Sequence, residues 1–253
     1  VNTTEPLHLA WWLATFNTVA IDLWAADTGR DPREILQAIA DVFGDAADRE
    51  FTVECNPGTV DAAKLRALRA GGVNRLSFGV QTFDDTLLKK IGRIHTGAQA
   101  REAMALARTA GFQNVSMDLI YGLPGESLAE LERDLEAMVA LEPEHISIYG
   151  LQLEEGTAFA KMQEMGRLML PDDDTVERMY DTMTAFLPAH GYARYEISNF
   201  AKPGFESRHN LSYWQDVPYR PSLPTLGGSA NYQLEGGTLR EVNDKGARLL
   251  SLL

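Results

Sequence analysis

Val115-Ser116-Met117-Asp118-Leu119-Ile120-Tyr121-Gly122-Leu123-Pro124-Gly125-Glu126-Ser127 reads as a buried strand, a tight Gly/Pro turn and the start of a helix. A carboxylate inside such an apolar run conflicts with its surroundings. Burying Asp118 unpaired would cost several kcal/mol. Either a partner inside the fold satisfies it, or it faces a ligand.

Similar units flank this stretch. Upstream, Phe51–Cys55 is a short strand, Asn56-Pro57-Gly58 a turn, and Thr59 or Asp61 caps a helix that Gly71-Gly72 stops. Arg75–Gln81 is a second strand, followed by helical residues Asp84–Ile91. Thr96 and Gln99 form a capping box for a helix to Ala110. Downstream, Ser127 and Glu130 cap a helix that ends before Pro143, and His145–Leu151 is a fourth strand. Pro171-Asp172-Asp173-Asp174 opens another helix, with negative charge where the macrodipole favours it. Tyr192–Ile197 is a fifth strand candidate. Strands alternating with helices mean parallel βαβ units. With no Gly-x-Gly-x-x-Gly turn, they favour a (β/α) barrel or partial barrel over a dinucleotide-binding sheet. Toward the N-terminus, Asn17–Ile21 is a further strand candidate and Pro32–Phe43 a helix; the pattern predicts a short helical tail over 244–253.

Composition narrows the partners. The chain has 253 residues and a formal net charge of −13, which argues against the basic footprint of a nucleic-acid binder. Its single cysteine, Cys55, rules out an intrachain disulfide and a Cys-based metal cluster built from these residues alone. An inert buried thiol is the expectation there, and a reducing cytoplasm is compatible with it. The apolar stretch around Trp11, Trp12, Phe16 and Trp24 is broken by Asn17, Thr18 and Asp22, so a core segment is expected rather than a membrane span.

In such barrels the ligand face lies at the C-terminal ends of the strands. Glu54, Gln81 and Asp118 sit on successive strands, and Arg93 lies in the loop Gly92–Thr96. Carboxylates suit ammonium or ribose hydroxyls, and Arg93 suits a carboxylate in bidentate fashion. The alternative is that these charges brace one another internally. A second candidate is His209-Asn210-Leu211-Ser212-Tyr213-Trp214: a neutral imidazole can ligate haem iron while Tyr213 and Trp214 pack on the macrocycle. A loop histidine in an aromatic-anchored turn is the alternative. His95 and His145 are read as structural, the first in a loop and the second opening a strand. No Ser/His/Asp set, P-loop or HExxH occurs, so a phosphate-metabolising enzyme has only fold analogy behind it.

Glu54-Cys55-Asn56-Pro57-Gly58-Thr59, Asn74–Phe83, Gly92–His95, Asp118–Gly125 and His145–Tyr149, in this order, resemble the radical S-adenosylmethionine (SAM) family of oxygen-independent coproporphyrinogen III oxidase-like proteins. Arg194–Lys202 and the H-N-x-x-Y-W string at His209–Trp214 resemble its haem-chaperone branch. The resemblance implies an α/β fold, a partial (β/α)₆ TIM-like barrel, here incomplete at the N-terminus. It implies SAM at Glu54, Gln81, Arg93 and Asp118. It also implies haem at His209, Tyr213 and Trp214, with His209 as the iron ligand. The expected organisation is an atypical segment over 1–30, the barrel over 31–200, and a remnant of a C-terminal haem-chaperone-like region over 201–253. Haem or a porphyrin and a haem-accepting protein are the implied partners, with membrane association only through a partner and a cytoplasmic location.

The family also carries a C-x-x-x-C-x-x-C loop whose thiolates hold a [4Fe–4S] cluster. That loop is absent from these residues, and Asp22-Leu23-Trp24-Ala25-Ala26 stands where a Gly-rich segment would approach the SAM amino group. The expectation is a truncated or reshaped copy, a haem-trafficking protein without radical catalysis. A truncated coproporphyrinogen oxidase and a non-catalytic haem-binding module are the alternatives.

Overall fold

The computed structural model describes Leu36, residues 50–153 and 157–214, and the backbone of 231–235, 238–243 and 246–250. The side chains of Ala158, Ser212 and Tyr213 are not among these. The expected strand at Asn17–Ile21, the Trp11–Trp24 stretch and Asp22–Ala26 lie outside the described residues, as does the Pro32–Phe43 helix apart from Leu36.

From residue 50 the chain alternates as its pattern predicts. Strand β1 (Thr52–Cys55) leads to helix α1 (Ala62–Ala70), β2 (Arg75–Gln81), α2 (Asp85–Lys90) and α3 (Gly97–Thr109). Then come β3 (Val115–Tyr121), α4 (Leu128–Ala140), β4 (His145–Gly150), a helix that the pattern does not predict, α5 (Ala158–Glu164), and α6 (Asp173–Ala189). The helices begin where polar side chains take up free N–H groups. Asp61 accepts from Lys64 N at 2.8 Å, Asp84 from Thr86 N at 2.7 Å, and Asp172 from Thr175 N at 2.7 Å. Thr96 and Gln99 cap α3 reciprocally, at 2.9 and 3.2 Å. Strands β1 to β4 pair in parallel, in sequence order.

One face of this sheet carries Val53, Leu76, Phe78, Val80, Met117, Leu119, Ile146 and Ile148, all buried, and meets Leu65, Ala103, Leu135 and Met183 of the helices. Full burial of each large apolar side chain contributes about 1.5–3 kcal/mol, so this two-layer contact dominates the stability.

The expected parallel fifth strand is replaced by a hairpin. Strand β5 (Ala193–Arg194) pairs antiparallel with β6 (Asn199–Ala201), and β6 runs antiparallel to β4. The reason is a turn at Glu196: its carboxylate accepts from Ser198 N at 2.9 Å and from Asn199 Nδ2, reversing the chain within four residues. A short helix, α7 (Arg208–Trp214), follows. Strands β7 (Asn231–Glu235), β8 (Thr238–Asn243) and β9 (Gly246–Leu250) form a separate antiparallel sheet. The predicted helical tail is therefore a strand over Gly246–Leu250, because pairing with β8 satisfies its backbone. An apolar run this short has no periodicity with which to oppose that pairing.

The junction before α3 is tight. A Cβ on Gly97 would stand 2.3 Å from the Phe83 carbonyl oxygen, a backbone atom with no rotamer to escape into. Gly97→Ala should destabilise the fold by about 2 kcal/mol or more, despite a helix-propensity gain of about 1 kcal/mol. Urea denaturation of parent and variant checks this, and a variant as stable as the parent would show that α3 can shift freely.

Candidate functional site

Parallel strands covered on both faces read as continuous apolar runs, but β2, β3 and β4 alternate instead. Between the core residues stand Arg75, Ser77 and Gly79 on β2, Ser116 and Asp118 on β3, and His145, Ser147 and Tyr149 on β4. The register aligns them into rows across the sheet. Glu54 lies beside Ser77, Ser77 beside Ser116, and Ser116 beside His145. One layer further on, Gly79 lies beside Asp118, Asp118 beside Ser147, and Ser147 beside Asn199. The sheet face turned away from the helices is thus a polar lumen.

Asp118 sits at its centre. Ser77 Oγ donates to both carboxylate oxygens at 3.3 Å, Ser116 Oγ donates at 3.4 Å, and Ser147 adds a further hydrogen bond. The carboxyl nevertheless titrates above its ordinary range, because loss of water outweighs the serines and Arg75. Glu54 is also raised, first by desolvation and then by Asp118, with Arg75 opposing. Two carboxyls pushed upward in one lumen, with positive groups at its edges, form an electrostatically primed site.

A bulge positions the next residue. The β2–β3 register shifts between Gly79 and Gln81, and Gln81 takes φ +70°, a conformation costly for a residue with a Cβ. The bulge folds the Gln81 amide back over Gly79, where a Cβ would lie 2.9 Å from Gln81 Nε2 and 3.4 Å from an Arg93 terminal nitrogen. Arg93 reaches in from the loop after α2 and donates to Asn56 Oδ1 at 3.0 Å. Burial lowers its pKa and the field of Asp118 opposes that. His95 pins this loop through Nε2 to the Val80 carbonyl at 3.0 Å, the structural role expected of it. The structure therefore brings Glu54, Gln81, Arg93 and Asp118 to one face, the last two through a shared field rather than a direct bond.

The second candidate lies elsewhere. Glu50, two residues ahead of β1, accepts from the backbone N–H groups of Arg208 and His209 at 3.2 and 3.4 Å. Helix α7 is thereby held at the N-terminal edge of the sheet, opposite the edge that carries Gln81 and Arg93. His209 is exposed, as is Trp214; the side chain of Tyr213 lies outside the described residues. Partial burial, with Arg75 adding to it and Glu50 opposing, keeps the His209 pKa below its ordinary value, which favours the neutral imidazole a metal needs.

Several site residues were not singled out from sequence: Ser77, Ser116, Ser147, Asn199 and above all His145. The signal that marks them is the polar alternation of β2, β3 and β4, which a sheet with two apolar faces does not show. His145 opens β4 as expected, and the structure adds its partners: it is 1% exposed and bonded to Ser116 Oγ at 2.8 Å and Tyr195 Oη at 2.7 Å.

Which groups do these residues fit? A zwitterionic nucleoside suits the lumen: two carboxyls for ammonium or ribose hydroxyls, a guanidinium for a carboxylate, and a cradle at Gly79 that any Cβ would fill. A [4Fe–4S] cluster does not suit the residues present. Cys55 is the single thiol, 2% exposed and packed in the core, and three thiolates are required. Among the described residues there is no group of three or more His, Cys, Asp or Glu side chains that could hold a metal ion.

Parallel strands in sequence order, helices on one face and charged groups at the strand ends define a partial (β/α) barrel with its candidate site at the mouth. The model of the radical SAM superfamily matches residues 22–138 of the chain. It is 45% identical to the "Heme chaperone HemW" of Bacillus subtilis over 188 residues, covering 74% of this chain and 50% of that protein. It is 42% identical to the Escherichia coli protein of the same name, covering 69% of this chain and 45% of that protein. It is also 38% identical to the bovine "Radical S-adenosyl methionine domain-containing protein 1, mitochondrial", covering 82% of this chain and 47% of that protein. The chain thus spans about half the length of the curated relatives it matches. In fold it is similar to coproporphyrinogen III oxidase (HemN) from Escherichia coli, with a TM-score of 0.65 and 23% identity over 89% of this chain and 51% of that one. These comparisons agree with the expected partial barrel and with the haem-chaperone branch of the family.

Proposed function

We propose that this chain is the barrel portion of a haem-chaperone-like radical SAM protein. In this reading SAM binds in the lumen and haem at the opposite edge. The carrying observation is the convergence of Glu54, Gln81, Arg93 and Asp118 on the polar face around Gly79. Arg93 would take the SAM carboxylate, while Glu54 and Asp118 would take its ammonium and ribose hydroxyls. When bound, SAM supplies the family's cleavable sulfonium; this chain's residues bind and orient it and exclude water from it. Because its own residues do not fit the cluster, no radical step is assigned to them. Residues 31–200 are the barrel unit in this reading and 201–253 belong to the haem-binding part. His209 is the proposed iron ligand, with Tyr213 and Trp214 packing on the macrocycle. A haem-accepting protein is the partner. Among the described residues no helix is long and apolar enough to cross a membrane, so membrane contact would come through that partner. A cytoplasmic location is part of the same reading.

Two titrations test the proposal. SAM should bind the isolated chain in a calorimeter without added iron. Hemin should give a Soret band shifted from that of free hemin, and His209→Ala should lose that shift and at least about 10-fold in affinity, the effect of removing one axial ligand. Identical bands from parent and variant would remove His209 from the haem site.

A further inference from the structure

The lumen contains a chain of hydrogen bonds whose direction follows from donor counts alone. Tyr195 Oη receives Ser207 N and Asn210 Nδ2, each at 3.3 Å. With both lone pairs occupied, its O–H has to donate, and His145 Nε2 lies 2.7 Å away. A ring nitrogen that accepts carries no proton. The single proton of neutral His145 is therefore on Nδ1, which faces Ser116 Oγ at 2.8 Å. Ser116 accepts there, and its own O–H is left to donate to Asp118 Oδ1 at 3.4 Å.

We propose that Asn210, Tyr195, His145, Ser116 and Asp118 form a one-way hydrogen-bond relay by which α7, the helix bearing His209, positions the Asp118 carboxylate. The relay crosses the lumen from one edge of the sheet toward the other. Moving α7 withdraws the Asn210 amide, frees a Tyr195 lone pair, and releases the constraint on the His145 proton. Ser116 can then turn its O–H toward His145 instead of Asp118. His145 and Tyr195 are positioning residues in this scheme. The relay does not depend on what the pocket holds; its bearing on SAM and haem rests on the function proposed above.

Other charged and titratable groups face the relay and remain constant in the test: Arg75 faces both His145 and Asp118, and Glu54, Arg93 and Tyr149 face Asp118. The experiment uses the full chain with ¹⁵N-histidine and ¹³C-labelled carboxyls, and no ligand. In the parent, two-bond ¹H–¹⁵N correlations should show His145 as the Nδ1–H tautomer. Tyr195→Phe, which keeps the ring, should let the proton visit both nitrogens, so that the two ¹⁵N shifts move toward each other. Ser116→Ala should leave the His145 tautomer in place. In both variants the Asp118 midpoint should rise by roughly half a pH unit, the effect of losing one long hydrogen bond to a carboxylate. An Nε2–H tautomer in the parent, or an Asp118 midpoint unmoved in both variants, would overturn the relay. Since no SAM or haem is added, failure here is separate from failure of either binding titration.

Discussion

Asp118→Ala should lower the affinity for SAM by at least about 30-fold in a calorimetric titration, a loss of about 2 kcal/mol. That is the low end for truncating one member of a buried, hydrogen-bonded charge constellation. The size of the effect comes from what Asp118 leaves behind. Three serine hydroxyls converge on it, and the fields of Arg75 and Arg93 oppose or balance its charge. Without the carboxylate those hydroxyls turn to one another, and the lumen carries excess positive charge against an ammonium-bearing ligand. Asp118→Asn separates charge from shape: it keeps the volume and one acceptor, and should recover only part of the loss. If parent and Asp118→Ala bind alike, or neither binds, Asp118 is a structural brace and the pocket assignment fails with it.

Glu126→Gln should make the protein more stable than the parent at pH 8, by on the order of 3 kcal/mol, and the gap should close as pH falls to 5. Glu126 is 4% exposed, and burial pushes its carboxyl up to about 7, with Asp134 adding and the N–H groups of Leu123 and Gly122 opposing. Asp134 is itself raised to about 6, chiefly by burial, against hydrogen bonds from Thr82 and Phe83. The sign follows from proton linkage. A carboxyl whose pKa is higher in the folded state binds a proton that the unfolded chain has already released. Its penalty is therefore complete above about pH 7 and relieved as pH falls toward the unfolded value near 4.5. Buried His145 acts in the opposite direction: burial and then Arg75 push its pKa down to about 2, so acid favours the unfolded state below its ordinary value of 6.5. The parent curve alone mixes the two trends, and the difference between parent and Glu126→Gln isolates the first. Urea melts at pH 5, 6.5 and 8 give that difference. A gap that widens toward pH 5 would sink the assignment.

The helices were legible because their determinants are local. Asp61, Asp84, Thr96 and Asp172 cap where they stand, within three residues of the N–H groups they satisfy. The parallel order of β1 to β4 was legible because helices separate those strands. The hairpin of β5 and β6 was not. Tyr192–Ile197 reads as one strand, and the reversal depends on how Glu196 meets Ser198 and Asn199 in space. Nor was the bulge at Gln81, since a strand ending in glutamine looks the same with or without a positive φ. His145 passed as a strand opener because its partners, Ser116 and Tyr195, lie 29 and 50 residues away.

By itself the sequence determined the alternation of strands and helices, the carboxylate in β3 and its likeness to a SAM-binding family, since spacing and residue type carry that information along the chain. The tertiary structure alone decided how Asp118 is satisfied. Three serines from three strands reach it only once parallel pairing has put Ser77, Ser116 and Ser147 on its face of the sheet. The same register set His145 between Ser116 and Tyr195, and so tied α7 to the centre of the lumen. Hydrogen bonds of this kind join atoms far apart in the chain, and no local propensity encodes them until the sheet has formed.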